Sequence, residues 1–408
     1  MKFETFDFHP AVKAGITAAG YETPTPIQEQ AMPHVLNQKD VMGLAQTGTG
    51  KTAAFALPIL NRLMKSKKSG IRALVIAPTR ELAEQIHQSF ETLGQKTRLR
   101  SIAVYGGVGI NPQIQKLRRA DIVVACPGRL LDHIGRRTAD LRNLEVLVLD
   151  EADHMFDMGF FPDIRRILRS VPQSRQTLLF SATMPAEIRR LANDVLRDPI
   201  TVKIGTTAPA DTVSHALYPV AQHLKTALLL KMLENIKTES VLVFTRTKHR
   251  AKSLDKKLAG AGFRSASIQG NLSQGRRQAA LDGFRNGTYK ILVATDIAAR
   301  GIDVSKISHV INYDIPSTPD AYIHRIGRTG RAACNGEAFT MITGEDRDMV
   351  RAINRVIGAE IEQRTISTFD YGSPKPAGTK QPQKQWKPRR NFSAPKKGRS
   401  QRPNAARV

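Results

Sequence analysis

The chain has 408 residues, 41% of them hydrophobic, with 62 Lys and Arg against 36 acids and a formal net charge of +26. At roughly 150 residues per domain this predicts two or three domains, and the apolar share excludes a wholly disordered chain. The basic excess runs through the body and intensifies at the end, with 11 Lys and Arg and no acid from Gly372 to Val408. Such a balance favours a polyanionic partner such as nucleic acid ahead of an anionic membrane surface. The longest apolar run, about Ala53–Leu60, contains Pro58 and is far short of the roughly 20 residues a membrane span needs. No signal-peptide pattern opens the chain. Cys126 and Cys334, with no CxxC and no nearby His cluster, argue against a disulfide scaffold or zinc site and predict a cytoplasmic setting.

In chain order, short β-branched runs alternate with helical patterns, which predicts βα units around parallel sheets. Strands are expected over residues 40–45, 72–77, 121–125, 145–149 and 177–180. Between them, Thr79–Gly94 reads as an amphipathic helix, because Leu82, Ile86 and Phe90 recur every four residues. The pattern lapses near residues 204–214 into a Gly-Thr-Thr-Ala-Pro-Ala-Asp-Thr tract, an interdomain linker. It resumes with strands expected over 240–244, 265–268, 290–294, 308–312 and 338–342, and ends near Ile366. The expected organisation is an α/β domain over 1–205, a linker over 206–214, a second α/β domain over 215–366 and a disordered basic tail over 367–408.

The densest chemical signal is Ala45-Gln46-Thr47-Gly48-Thr49-Gly50-Lys51-Thr52, between an expected strand and an expected helix. Glycines there let backbone N–H groups approach a phosphate, and the helix N-terminus adds its dipole. Lys51 would reach the terminal phosphates and Thr52 would ligate Mg²⁺. Ala45 stands where the general pattern begins with Gly. A phosphate-binding loop wins over a bare strand–helix turn, since Gly-Lys-Thr in this context has no packing rationale. The apolar run Leu147–Leu149 then ends in Asp150-Glu151-Ala152-Asp153. Burying such a cluster without a cation is costly, so Asp150 is the candidate Mg²⁺ acid and Glu151 the candidate for polarising water. A solvated acidic turn is the bland alternative, and the Lys51 loop argues against it. Finally, His324-Arg325-Ile326-Gly327-Arg328-Thr329-Gly330-Arg331 supplies three arginines from the second domain. They reach a phosphate on Lys51 only if the domains close on each other.

Together these residues resemble the DEAD-box family of ATP-dependent RNA helicases. The likeness covers about residues 3–365 and includes Phe3, the segment over residues 20–28 with Tyr21, Thr23 and Gln28, Pro78–Leu82, Gly106-Gly107, Pro127-Gly128-Arg129, Ser181-Ala182-Thr183, Val243–Thr247, Gln274–Arg277, Ala294–Asp296, Arg300–Asp303 and His324–Arg331. It implies two tandem RecA-like domains and ATP with Mg²⁺ as the bound nucleotide and metal. ATP contacts are implied at Phe3, Tyr21, Thr23, Gln28, Gln46, Thr47, Gly48, Thr49, Gly50, Lys51, Thr52, Asp303, Arg328 and Arg331. Lys51, Asp150, Glu151, Arg328 and Arg331 would carry the chemistry, and Ser181, Thr183, Asp153, Arg300 and His324 would couple it to strand separation. RNA contacts are implied at Thr79, Arg80, Gly107, Gly128, Arg129, Thr247, Arg277 and Thr295, groups suited to a sugar–phosphate backbone and not to base reading. Within the family the tracts Ile110–Gln113 and Phe244–Lys248 are similar to the bacterial RhlE-type group. Cys126 departs from the pattern, standing where Thr is usual.

The implied activity is RNA-stimulated ATP hydrolysis coupled to local, non-processive separation of short duplexes and to RNA or ribonucleoprotein remodelling. An ATP-gated RNA clamp and a DNA helicase of the same superfamily are the rival readings, separable by whether RNA or DNA stimulates turnover. In the tail, Trp386 and Phe392 lie among Lys384, Lys387, Arg389, Arg390, Lys396 and Lys397. That mixture predicts a non-specific RNA tether ahead of a merely solubilising tail, and a place where ribosome-assembly or RNA-decay proteins could dock.

Overall fold

Both halves of the chain build parallel sheets whose faces are covered on each side, as apolar strands joined by helical crossovers require. The computed structural model describes residues 2–46, 48–66, 68–204, 213–236, 240–299, 307–330 and 336–372. The first sheet holds β1 (Val41–Leu44), β2 (Ala73–Ile76), β3 (Ser101–Val104), β4 (Ile122–Ala125), β5 (Val146–Leu149), β6 (Gln176–Ser181) and β7 (Ile200–Lys203). Their order is β3-β4-β2-β5-β6-β1-β7, and every pairing is parallel. The second sheet holds β8 (Val213–Pro219), β9 (Val241–Phe244), β10 (Ser265–Ile268), β11 (Ile291–Ala294), β12 (His309–Asn312) and β13 (Gly336–Ile342). Its order is β10-β11-β9-β12-β13-β8, again all parallel.

Each sheet sits between two apolar layers. On one face of the first, Phe55, Phe90 and Phe180 pack together with ring centroids 5.5–6.3 Å apart. On the other, Leu74, Leu147 and Leu149 meet Ile164, Ile167 and Ile188. The second sheet is covered likewise by layers around Phe284 and Tyr322 on one side and Leu228, Leu254 and Leu258 on the other.

Two expected boundaries need correction. Val213 and Ser214, placed in the linker over 206–214, open β8 and pair with Gly336 and Glu337; the rest of that linker lies outside the described residues. The second domain also runs past Ile366. Phe369 and Tyr371 pack against its core, and the Tyr371 hydroxyl accepts from the Ile366 amide at 3.0 Å, so the tail expected over 367–408 begins no earlier than Gly372. Residues 373–408, Trp386 and Phe392 among them, lie outside the described residues.

Candidate active site and nucleic-acid interface

The phosphate loop joins β1 to the helix Lys51–Lys65. Gly48 and Gly50 take φ of +87° and +93°, a region open to glycine at little cost. A Cβ on Gly50 would also meet the Gln28 amide nitrogen at 2.5 Å. That amide donates to the Gly50 carbonyl at 3.0 Å, while its oxygen accepts from the Thr25 amide at 3.0 Å. Gln28 therefore ties the segment over residues 20–28, with its implied ATP contacts, to the expected phosphate loop. Lys51 is buried and donates to the Ala45 carbonyl at 3.0 Å, and Thr49 closes the turn onto the Gln46 carbonyl at 2.8 Å. Tyr21 is exposed and stacks on the buried Phe3, with centroids 5.9 Å apart and planes 18° apart. Thr23 is exposed on the same segment, and Thr47 lies outside the described residues.

The acidic run leaves the end of β5 and turns sharply. Glu151 has φ +54°, a left-handed conformation costly for a residue with a Cβ, and caps the short helix Ala152–Asp157. Asp150 and Glu151 are both 2% exposed. Burial pushes the Asp150 carboxyl up to about 6 although Lys51 opposes this, and Glu151 beside it adds to the rise. Burial would raise Glu151 as well, but His154, by charge and by hydrogen bond, and then Lys51 and Arg328 hold it below the usual carboxylate range. Asp153 faces the end of β6: its carboxylate accepts from the amides of Ala182 and Thr183 at 3.1 and 2.9 Å and from the Thr183 hydroxyl at 3.0 Å. Ser181 accepts from the Asp153 amide at 3.2 Å. Three of the expected coupling residues thus form one hydrogen-bonded unit.

The second lobe completes the site. Gln46, Lys51, Glu151, Asp153, His324 and Arg328 line one narrow cleft between the lobes. His324 comes from the helix Pro319–Ile326, whose start is capped by Thr318. Within that helix Arg325 faces inward, not to the cleft. It pairs with Asp296 at 2.5 and 2.7 Å and donates to Asn312 and to the Asp314 carbonyl. Arg300, Asp303 and Arg331 lie outside the described residues.

The expected RNA contacts divide into two groups. Thr79 and Thr247 are matching N-caps, accepting at 3.2 Å from the amides of Leu82 and Arg250 at the starts of Arg80–Gly94 and Lys248–Gly260. Gly107 has φ +83°, and a Cβ there would meet the Arg80 guanidinium at 2.1 Å. Gly128 is exposed, Thr295 half-buried, and Arg129 donates twice to the Val108 carbonyl at 3.1 Å. Arg277 makes a further contact. Its Nε donates to Glu81 at 2.8 Å, so its guanidinium is engaged by a buried carboxylate of the first lobe. Gln274 joins the same contact, donating to Glu81 at 3.1 Å and accepting from Arg80 at 3.5 Å. The sequence assigns no role to Glu81, Gln274 or His154; the signal available for Glu81 is a carboxylate directly beside Arg80 in Pro78–Leu82. Cys126 caps the helix Pro127–Gly135 without a side-chain hydrogen bond.

No helix among the described residues is long and apolar enough to cross a membrane. A phosphate loop on one α/β lobe, facing an arginine from a second, defines a two-lobed nucleotide hydrolase. Comparison with known proteins sharpens this. Residues 25–191 match the DEAD/DEAH box helicase family and residues 224–333 the helicase conserved C-terminal domain. The DEAD-box ATP-dependent RNA helicase CshA of Bacillus subtilis is 43% identical over 90% of this chain and 75% of its own length. The ATP-dependent RNA helicase CshA of Limosilactobacillus reuteri is 44% identical over 87% and 72%. Among solved structures, S. cerevisiae Dbp5 bound to RNA and ADP BeF3 matches with a TM-score of 0.80 at 31% identity, covering 89% of this chain and 95% of that one. A DEAD box protein from Methanococcus jannaschii is 38% identical over 90% and 99%, with a TM-score of 0.53. The chain belongs to the DEAD-box family and is an ATP-dependent RNA helicase.

Proposed function

We propose that this helicase works as a nucleotide-gated clamp, hydrolysing ATP when RNA is bound and separating short duplexes locally and without processive travel. The observation that carries this is the shared cleft: Lys51 and Glu151 belong to one lobe, Arg328 to the other, and all three line the same space. ATP held by Tyr21, Gln28 and the Lys51 loop gains Arg328 only when the lobes meet, so it favours the closed arrangement by its differential affinity. Opening a base-pair step costs on the order of 1–2 kcal/mol on the DNA stacking scale. Closure can offset a few such steps, which supports short duplexes as substrates.

The residues fit a Mg²⁺ shared with the nucleotide. Magnesium commonly uses one or two protein oxygens and completes its shell with phosphate and water. Thr52 offers a hydroxyl, and the buried Asp150 is a carboxylate whose charge burial disfavours. Mg²⁺ bound there would neutralise phosphate charge. Glu151, held ionised, would accept a hydrogen bond from the attacking water, and Arg328 would balance charge developing on the transferred phosphoryl group. Thr79, Arg80, Gly107, Gly128, Arg129, Thr247 and Thr295 would hold the RNA backbone, with Arg277 serving closure instead. The tail would tether RNA electrostatically and recruit ribosome-assembly or RNA-decay proteins in the cytoplasm, and Ile110–Gln113 supports an RhlE-type assignment.

The test is the ATPase rate with and without single-stranded RNA, beside Glu151→Gln. Strong stimulation that disappears in the variant is expected. An unstimulated wild type that still binds RNA would overturn this reading in favour of a passive clamp.

A further inference from the structure

His154 follows the acidic run and takes no part in the chemistry assigned to Lys51, Glu151 and Arg328. It is 3% exposed, and its Nδ1 lies 2.8 Å from Glu151 Oε2. The short helix Ala152–Asp157 begins at Glu151, so the two side chains are three residues apart and share one helical face. A glutamate has three rotatable bonds, and Glu151 sits on a left-handed backbone, buried along the cleft. The His154 hydrogen bond selects one of its orientations. This ring also reaches the other lobe. It meets His324 edge to face, with centroids 5.3 Å apart and planes 83° apart, and with His324, Arg325, Arg328, Phe244 and Asp296 it lines a small cavity. One imidazole therefore touches the carboxylate of the first lobe and the helix that brings Arg328 from the second.

We propose that His154 is a positioning residue for hydrolysis, fixing the Glu151 carboxylate by its hydrogen bond and making that orientation depend on lobe closure through its contact with His324. The proposal rests on the reading of Glu151 as the water-orienting group. His154 itself touches neither nucleotide nor water; it acts through Glu151. The depression of Glu151 by His154 agrees with the geometry, since a donor to a carboxylate favours its ionised form.

Steady-state ATPase assays over an RNA titration up to saturation on His154→Ala, His154→Phe and His154→Asn test it. Asparagine places an amide N–H near the position of Nδ1 but has no ring, whereas phenylalanine keeps a ring and has no donor. Losing a hydrogen bond to a charged group corresponds to about ten- to a hundredfold in rate. Alanine and phenylalanine are therefore expected to lower kcat by that factor with the KM for ATP within about twofold of wild type. Asparagine should restore most of kcat while raising the RNA concentration needed for half-maximal stimulation. Wild-type kcat in alanine and phenylalanine, or asparagine no better than phenylalanine, would overturn the proposal. Should alanine fail to fold, the contrast between asparagine and phenylalanine still decides. Wild-type kcat in Glu151→Gln would instead strike the reading of Glu151, which keeps the two failures distinct.

Discussion

Glu81 in the first turn of one lobe's helix accepts from Arg277 in the first turn of a helix in the other, 196 residues away in sequence, at 2.8 Å. Their side chains are 3% and 14% exposed. The contact exists only when the lobes are together, so its strength enters the closure equilibrium and not the folding of either lobe. Truncating one partner of a buried, hydrogen-bonded charge pair costs about 2 kcal/mol or more, roughly thirtyfold in an equilibrium constant. Arg277→Ala should raise the RNA concentration for half-maximal ATPase stimulation by about that factor. Basal ATPase, which needs the same closure, should fall as well, while the unfolding midpoint stays close to wild type. Equal RNA dependence in wild type and variant would remove this pair from the closure mechanism.

Gly107 tests the neighbouring contact. Alanine there meets two independent obstacles: a φ of +83° and an Arg80 guanidinium 2.1 Å from the new Cβ. The left-handed backbone costs about 1–2 kcal/mol. The clash is relieved by moving the flexible end of Arg80, which displaces it from Gln274. Gly107→Ala should therefore lower stability modestly in thermal unfolding and weaken RNA binding as well. Gly128→Ala is the control, because nothing lies within 4 Å of its Cβ position and little change in stability is expected.

Cys126 offers a gain instead of a loss. It stands at the N-cap of Pro127–Gly135 with β-region torsions, φ −84° and ψ 141°, but contributes no capping bond. Burial pushes its thiol up to about 12, with Glu81 adding and Arg80 opposing, so the group stays protonated and makes a weak partner. A hydroxyl at an N-cap is worth about 1 kcal/mol over a residue that cannot cap. Cys126→Thr should raise the denaturation midpoint by an amount of that order. An unchanged or lower midpoint would mean that the wider Thr side chain does not fit the cap.

These residues also mark what the sequence makes legible. β2, β4 and β5 are four-residue runs buried along their whole length, so an uninterrupted apolar signal announces them. β3, β7 and β8 carry no such signal and are additions to the expected strands. β3 and β7 are edges of the first sheet and β8 an edge of the second, half-covered strands in which Ser101, Thr201, Ser214 and His215 interrupt the pattern. The phosphate loop is legible because its glycines and lysine are adjacent in the chain and each answers a local requirement. Arg277 is not, because its role depends on Glu81, a partner no periodicity connects to it. His154 falls between these cases: its bond to Glu151 spans only three residues, but the His324 contact that gives it consequence comes from the other lobe.

Buried imidazoles set the expected response to acid. His133 is enclosed, with Nδ1 2.8 Å from the Thr138 hydroxyl and Nε2 3.2 Å from the Gln113 side-chain oxygen. Burial first, and then Arg129, push it below its ordinary 6.5. His215, His309 and His324 are shifted the same way, burial being the foremost cause in each. A histidine depressed in the folded state takes up its proton more readily in the unfolded chain. As pH falls through 6.5 the unfolded state therefore binds more protons, and stability declines until the folded values are passed. Asp150 opposes this, since a carboxyl raised to about 6 favours the folded state as it protonates, but it is one group against four. The nucleotide-free protein should lose thermal stability between about pH 7.5 and 5.5, and His133→Gln should flatten that slope. A midpoint that holds or rises over this interval would show that the four imidazoles do not outweigh Asp150.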